Sequence, residues 1–325
     1  MTAPSAQTLQ RLANETGMQA GTLEKVLRLL DVLQEIARDP VLADRLALKG
    51  GTALNVFHLA LDRLSVDIDL NYVGALDRAA MEVDRPQIDA ALNRLLTAQD
   101  YAIRRQPGDH AGGKWVGRFA SALGGGASLE VDINYMARQP LFGATKMDSV
   151  DLGGVRASGV AVLDLHEVAA GKLVALMDRE AARDLFDARR ILDLDGLDWA
   201  NIKAAMLAYG AAGRRDWRRA SVADIGGDPR ELRQKLAICL PQNRFADAGG
   251  PEAWIAQTVA ECRARLAPLF ELSAGEGAFL DGILDRGEID PSGLAVAPEI
   301  QARIAAMPML AWKCQNVRAH RGKPG

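Results

Sequence analysis

Cysteine is scarce in this chain: Cys239, Cys262 and Cys314 are the only three in 325 residues. An odd, scattered set argues against a disulfide framework and a zinc site, and fits reduced thiols in a cytosol. Histidine is as thin. His58, His110, His166 and His320 lie in separate regions, so no histidine-based metal motif is spelled out. Aromatic residues make up 5% of the chain, and no apolar run is long enough to cross a bilayer. The N-terminal MTAPSAQTLQRLANETG lacks the apolar stretch of a signal peptide. A cytoplasmic protein with no membrane partner is therefore expected. Neither sign of charge dominates, with a net charge of −3 and a pI near 5.9. Nucleic-acid binding is thus not advertised by overall charge, and any such surface must be a local patch. There is no internal repeat, low-complexity tract or heptad series.

What is present is an ordinary globular composition, 49% apolar and 25% charged, in a chain long enough for two domains. Residues 5–38 read as helices, with Leu23, Val26, Leu27, Leu30, Leu33 and Ala37 at helical spacing before Asp39-Pro40 ends the run. The patterning predicts a helix over Asp84–Ala98 and a strand starting at Tyr101-Ala102-Ile103. Lys114–Leu123 and Ser128–Tyr135 read as two strands joined at Gly124-Gly125-Gly126. That glycine run is a hairpin turn and not a phosphate loop, because no helix follows it. Pro140–Leu163 is strand-like and glycine-rich. From Asp164 onward nearly everything looks helical, which places a boundary between domains 1–163 and 164–325.

The stretch Leu46–Asn71, LALKGGTALNVFHLALDRLSVDIDLN, organises the rest. It reads as a short strand, a Gly-Gly turn, a helix over Thr52–Arg63 and a second strand. Glycine lets the backbone turn sharply and approach a ligand closely. The unpaired N–H groups of the helix start after Lys49-Gly50-Gly51-Thr52 suit a phosphate. Asp67 and Asp69 flank Ile68, so on a strand both carboxylates share a face. Such a pair repels itself unless a cation sits between or one keeps a proton. Ser65 has two open readings, a hydrogen bond near the carboxylates or a turn role. His58 reads as a packed or solvated helix residue, not a ligand. Asp67-x-Asp69-x-Asn71 is not a calcium loop, because Tyr72 and Arg78 stand where glycine and glutamate are needed.

Two further segments carry candidates. In SLEVDINY the apolar Leu129, Val131, Ile133 and Tyr135 take one face, and Glu130, Asp132 and Asn134 the other. Asp132 is either a solvated strand residue or a third carboxylate beside Asp67 and Asp69. In HEVAAGKLVALMDREAARDLFDARRIL, an unbroken helix would bring Lys172, Arg179 and Arg183 to one face. Asp184 and Asp187 would then lie one step round, with Arg183 and Asp187 able to pair. A salt-bridged solvated helix is the default for such patterns. The long apolar side formed by Val168, Leu173, Leu176, Leu185 and Phe186 speaks against it, and Lys172 could reach a triphosphate as a point charge. Arg214, Arg215, Arg218 and Arg219 around Trp217 read either as a charged loop or as an RNA-binding cluster. The stretch from Lys313 to Lys323 is also basic.

The GG–helix–DxD order resembles the DNA polymerase β-type nucleotidyltransferase superfamily. The wording KGGTAL…RLSVDIDLN, LEVDINY, LHEVAAGKLVALMDREAARDLFD, FLDGILDRGEIDPSGL and MPMLAWKCQN together resembles the AbiEii/AbiGii toxin family, with its MenT-like branch. The spacing from Gly51 to Asp67 exceeds that of minimal nucleotidyltransferases and suits this branch. The resemblance implies an α+β fold: a polymerase β-like mixed sheet with flanking helices, then a mostly helical C-terminal lobe that completes the active-site cleft. It implies an NTP-dependent nucleotidyltransferase (EC 2.7.7 class) acting as the toxin of a toxin–antitoxin pair, with a cognate antitoxin and tRNA or another RNA as partners, as a monomer. Transfer to a protein or small molecule, or nucleotide binding without catalysis, are the alternatives.

The expected site follows from these parts. Asp67, Asp69 and Asp132 would hold one or two Mg²⁺ ions. Lys49, Gly50, Gly51, Thr52, Ser65, Lys172, Arg183 and Asp187 would meet the nucleotide, with Gly50, Gly51 and Thr52 using backbone N–H groups and the hydroxyl. Lys172 and Asp184 would join the three aspartates in catalysis. The reaction is in-line attack of an acceptor hydroxyl on the α-phosphorus, a matter of positioning and charge stabilisation.

Overall fold

Period-two alternation builds the sheet. In GGKWVGRFA and SLEVDINY every second residue is apolar, and those residues, among them Trp115, Phe119, Leu129, Val131 and Ile133, are buried on one face. The structure, a computed structural model, describes residues 4–105, 112–242, 244–246 and 248–321. His110, Asp247 and the end of the basic tail lie outside them. By its internal contacts the chain divides into two units. One comprises Met1–Arg138, Gly143–Asp164 and Gln234–Arg244; the other comprises Gln139–Phe142, Leu165–Arg233 and Phe245–Gly325.

The first unit opens with helices α1 (Ala6–Thr16) and α2 (Ala20–Arg38). It then forms strands β1 (Leu46–Lys49) and β2 (Asp67–Tyr72), helix α4 (Arg78–Ala98) and strands β3 (Ala102–Arg105), β4 (Gly112–Ala120), β5 (Gly126–Asn134), β6 (Ala144–Met147) and β7 (Val160–Leu163). Between β1 and β2 lies α3, a short helical turn at Gly50–Thr52 that widens into a π turn over Ala53–His58. The seven strands form one mixed sheet in the order β3-β4-β5-β2-β1-β7-β6. β2 runs parallel to β5 and antiparallel to β1, so the aspartate strand is central. Helix α4 is fastened to the apolar face by three polar contacts. Tyr72 and Tyr135 donate their hydroxyls to Asp84 and Asp89, and Trp115 donates its indole N–H to Asn93. These bonds let large aromatic rings be buried without stranding a donor.

The mixed sheet, flanking helices and helical C-terminal region expected from the sequence are all present. Three local details differ. The helix after the Gly-Gly turn ends at His58 and not at Arg63, since Leu59 turns extended. His58 there bonds the Leu163 carbonyl at 3.0 Å, and burial lowers the affinity of its imidazole for a proton. Helix α4 begins at Arg78, where Asp77 caps the Ala80 N–H; its first two turns bury only Met81 and leave Ala79, Ala80 and Val83 exposed, so no apolar stripe marks the start. Gln234–Arg244 from the C-terminal half belongs to the first unit: Leu64 bonds the Cys239 carbonyl and Thr22 the Ile238 carbonyl.

The second unit is helical: α5 (Leu165–Arg179), α6 (Ala182–Ile191), α7 (Trp199–Ala212), the single turn α8 (Pro229–Glu231), α9 (Pro251–Leu266), α10 (Ala274–Asp281), α11 (Pro298–Ala305) and α12 (Pro308–Arg321). Glu167 on α5 accepts from the Leu141 amide at 2.8 Å and from the Tyr209 hydroxyl on α7. No helix among the described residues is long and apolar enough to cross a membrane. On α7, Gly210 lies so close to the Trp217 indole that an added Cβ would stand 2.2 Å from it. Helix propensity alone would make Gly210→Ala stabilising by about 1 kcal/mol. The contact reverses the sign: this substitution is expected to destabilise by about 1–3 kcal/mol in urea melts, and pairing it with Trp217→Leu is expected to recover part of the loss.

Candidate functional site

The first unit's site is built at the corner between β1 and α3. Lys49 ends β1 in extended backbone, and Gly50 turns at φ +71°. A Cβ on Gly50 would stand 2.7 Å from Asp69 Oδ2. Glycine is required here twice over, for the dihedral and for the approach of backbone to carboxylate. The amides of Gly50, Gly51 and Thr52 begin the helical turn, and Lys49 gives them no side-chain cap. The Asn55 side chain bonds the Gly51 carbonyl at 3.0 Å and braces the turn.

Thr52 is fully buried. Its hydroxyl lies 3.0 Å from Ser65 Oγ and 2.5 Å from the Asp67 carbonyl oxygen. A carbonyl can only accept, so the single Thr52 proton goes to Asp67 and the Ser65 hydroxyl donates to Thr52. The hydroxyl expected at a phosphate is thus turned into the protein, where it ties the turn to β2. Of the two readings of Ser65, the hydrogen bond beside the carboxylate strand is the one formed.

Strand register assembles the charges. Asp69 faces Lys49 across the β1 pairing and Asp132 across the β5 pairing, and Asp132 faces Lys114 on β4. One row across four strands therefore reads Lys49, Asp69, Asp132, Lys114. Asp67 and Glu130 form the next row. Paired strands sit about 4.8 Å apart, so like charges directly opposite each other are destabilising. Lys114 offsets part of this. Its ammonium lies 2.6 Å from Glu130. The Glu130 hydrogen bond, with the attraction of Asp132 and Asp67, holds its affinity for a proton above the ordinary value, against a smaller loss from burial. Four carboxylates against two ammonium groups leave these two rows two negative charges in excess. Lys114 was not singled out from the sequence. The alternation of Trp115, Gly117 and Phe119 to the buried face was the signal that put it here.

Among the described residues no three His, Cys, Asp or Glu side chains converge closely enough for a protein-only ion cage. Asp67, Asp69 and Asp132, expected to share metal ions, do not make one by themselves. Mg²⁺ does not need one, because it keeps several waters and takes one or two carboxylates together with substrate phosphates. Hard, half-exposed oxygen donors on a negative face fit such an ion.

The second unit holds a different kind of cluster. The expected unbroken helix is interrupted at Glu180, which has φ +49°. α5 and α6 are therefore separate, and their charges meet by packing, not by helical spacing. Lys172 lies 3.0 Å from Asp184 and 2.8 Å from Asp187, all three buried. Arg179 forms a two-point contact with Asp184. Burial alone would raise the Asp184 carboxyl; Lys172 and Arg179 outweigh it and hold it below the usual range. Arg183 lies 3.7 Å from Glu231. The structure removes the stacking face from the expected RNA-binding cluster: Trp217 is buried against Gly210, Arg218 is held by Asp216, Asp281 and Asp285, and Arg215 by Asp224, while Arg214 and Arg219 are exposed.

Comparison with known proteins bears on the family and the fold. The profile of one family, described as nucleotidyl transferase AbiEii toxin, type IV TA system, matches residues 31–261. Among solved structures, the chain resembles MenT4, a nucleotidyltransferase toxin from Mycobacterium tuberculosis H37Rv. The TM-score is 0.58 at 19% sequence identity, covering 93% of this chain and 98% of that one. No curated protein sequence matches the chain.

Two outcomes follow from the geometry. Gly50→Ala is expected to leave the protein folded but to push Asp69 out of its row, so that stabilisation of the protein by added Mn²⁺ in thermal melts shrinks or vanishes. Asp184 stays ionised to lower pH in the folded chain than in the unfolded one, whose ordinary value is 3.8. Its contribution is complete above that value and is lost as pH falls through the lower folded one. Urea midpoints are therefore expected to fall with acidification through and below the carboxylate range, and Asp184→Asn is expected to flatten that fall while lowering the neutral-pH midpoint.

Proposed function

The chain belongs to the AbiEii nucleotidyltransferase toxin family, and on that premise we propose that it moves a nucleoside monophosphate from an NTP to an acceptor hydroxyl at the 3′ end of tRNA, with Mg²⁺ held on the Asp67–Asp69–Asp132 face. The observation that carries the proposal is the placement of Asp69 directly opposite Asp132, against a glycine corner whose amides have no side-chain cap. When bound there, Mg²⁺ would neutralise phosphate charge and ease deprotonation of the acceptor hydroxyl.

The chain's own groups do the positioning. The amides of Gly50, Gly51 and Thr52 meet the terminal phosphates as a helix start meets an anion. Lys49 and Lys114, at the two ends of the charged row, offset the triphosphate without closing off the carboxylates between them. The acceptor oxygen bonds to the α-phosphorus, the bond to the bridging oxygen breaks, and pyrophosphate leaves in line. Lys172, Arg183, Asp184 and Asp187 keep a part in nucleotide handling on the family pattern alone, since the pairs described above already involve their charges. Membership of a toxin–antitoxin family implies a cognate antitoxin, acting on the toxin directly or indirectly. A cytoplasmic monomer is the state in which we propose it acts.

Incubation with each labelled NTP, Mg²⁺ and total tRNA is expected to label RNA 3′ ends. Asp69→Asn and Asp132→Asn, which relieve repulsion and so keep the fold, are expected to cut labelling about 100-fold or more. Absence of label on any RNA with all four nucleotides would sink the acceptor assignment, and wild-type labelling by both variants would sink the site.

A further inference from the structure

Helix α12 carries a feature that the transferase site leaves unused. Leu310 and Cys314 are buried, whereas Trp312, Asn316 and His320 recur at every fourth position and lie along another face. Trp312 is 55% exposed, the one aromatic among the exposed large hydrophobic side chains of the described residues. It lines a cavity of about 820 Å³, together with Arg214, Lys313, Asn316, His320 and Asp285, all within the second unit. Ligand pockets fall in this size range.

The charges around the indole are of one effective sign. Asp285 is already held by Arg218 at 2.5 Å. Lys313 is fixed by a 2.7 Å bond from its ammonium to the Gly213 carbonyl, which leaves two of its N–H groups to donate elsewhere. Arg214 is exposed beside it. An open indole face with two cations at its rim is suited to a base and its phosphates: bases of any identity stack on aromatic rings, and Lys and Arg take the backbone. The Asn316 amide adds one donor and one acceptor group for a base edge. An apolar partner helix would leave both cations unpaired at its edge, and an acidic peptide would leave the indole without a use.

We propose that this pocket docks a single-stranded RNA segment, one base on Trp312 and its neighbouring phosphates on Arg214 and Lys313. The proposal rests on the reading of RNA as acceptor for its role in the reaction, but the binding itself is separable. It is measured with the full chain and a fluorescein-labelled single-stranded oligoribonucleotide, by anisotropy, without NTP. Trp312→Ala is expected to weaken binding about tenfold, the loss of one stacked base, while Trp312→Phe retains most of it. Arg214→Gln is expected to reduce the slope of log affinity against log salt by about 0.7. Trp312 is exposed, so neither replacement threatens the fold. Wild-type affinity in Trp312→Ala overturns the proposal, as does displacement of the RNA by a poly-glutamate peptide that binds more tightly and through Trp312. If tRNA labelling persists while Trp312→Ala binds normally, only the docking pocket fails. If labelling is absent while RNA binding depends on Trp312, only the transferase reading fails.

Discussion

Repulsion between carboxylates on neighbouring strands is the constraint around which the first unit is arranged. Asp69 and Asp132 are brought opposite each other by backbone pairing, and Asp67 and Glu130 sit one step along. Side chains alone would drift apart. The hydrogen bonds of a central parallel pair do not allow it, and the far side of those strands is anchored by buried Ile68, Leu70, Val131 and Ile133. Core packing on one face thus holds unfavourable charge on the other. Lys49 and Lys114 reduce the cost at both ends of the row and still leave the carboxylates in excess. Strain of this kind is expected where function, not stability, sets the residues.

The second unit solves the opposite problem. Asp184 and Asp187 are buried, and a buried charge without a partner is costly, about 3–5 kcal/mol when one member of a pair is removed. Lys172 therefore sits between Asp184 and Asp187, and Arg179 closes the remaining side of Asp184. The two clusters have similar composition and different accounts: one is matched inside the protein, the other is left short of positive charge at a half-exposed face. That difference, more than the count of acidic residues, is the ground of our proposal that a metal-bound nucleotide sits on the first unit's face.

The family assignment rests on a match spanning residues 31–261, and the likeness to MenT4 at 19% identity speaks for the fold. A sheet of this order tolerates wide sequence change because its buried face asks only for apolar volume of about the right shape. The glycine corner and the aspartate row are less forgiving, since Gly50 has no room for a side chain and each carboxylate has an assigned neighbour.

Local chemistry in the chain was enough to establish several features. Alternation marked Leu129, Val131 and Ile133 as one face and Asp132 as the other. Gly50-Gly51 after a short strand marked a turn, Gly124–Gly126 marked a hairpin, and Asp67-x-Asp69 marked two carboxylates on one side. These depend on dihedral preference and on periods of two or 3.6 residues, which a sequence carries explicitly. What depended on partners distant in the chain was not legible. Thr52 read as a phosphate ligand until the Asp67 carbonyl and Ser65 claimed its hydroxyl. Trp217 kept two readings, stacking platform or part of a charged loop, until Gly210 proved to be the surface it covers, and Lys114 had no role until register set it beside Asp132. Burial and pairing are properties of surfaces that meet only on folding. A residue type can announce what chemistry it is able to do, but which neighbour uses that chemistry was decided by the tertiary structure.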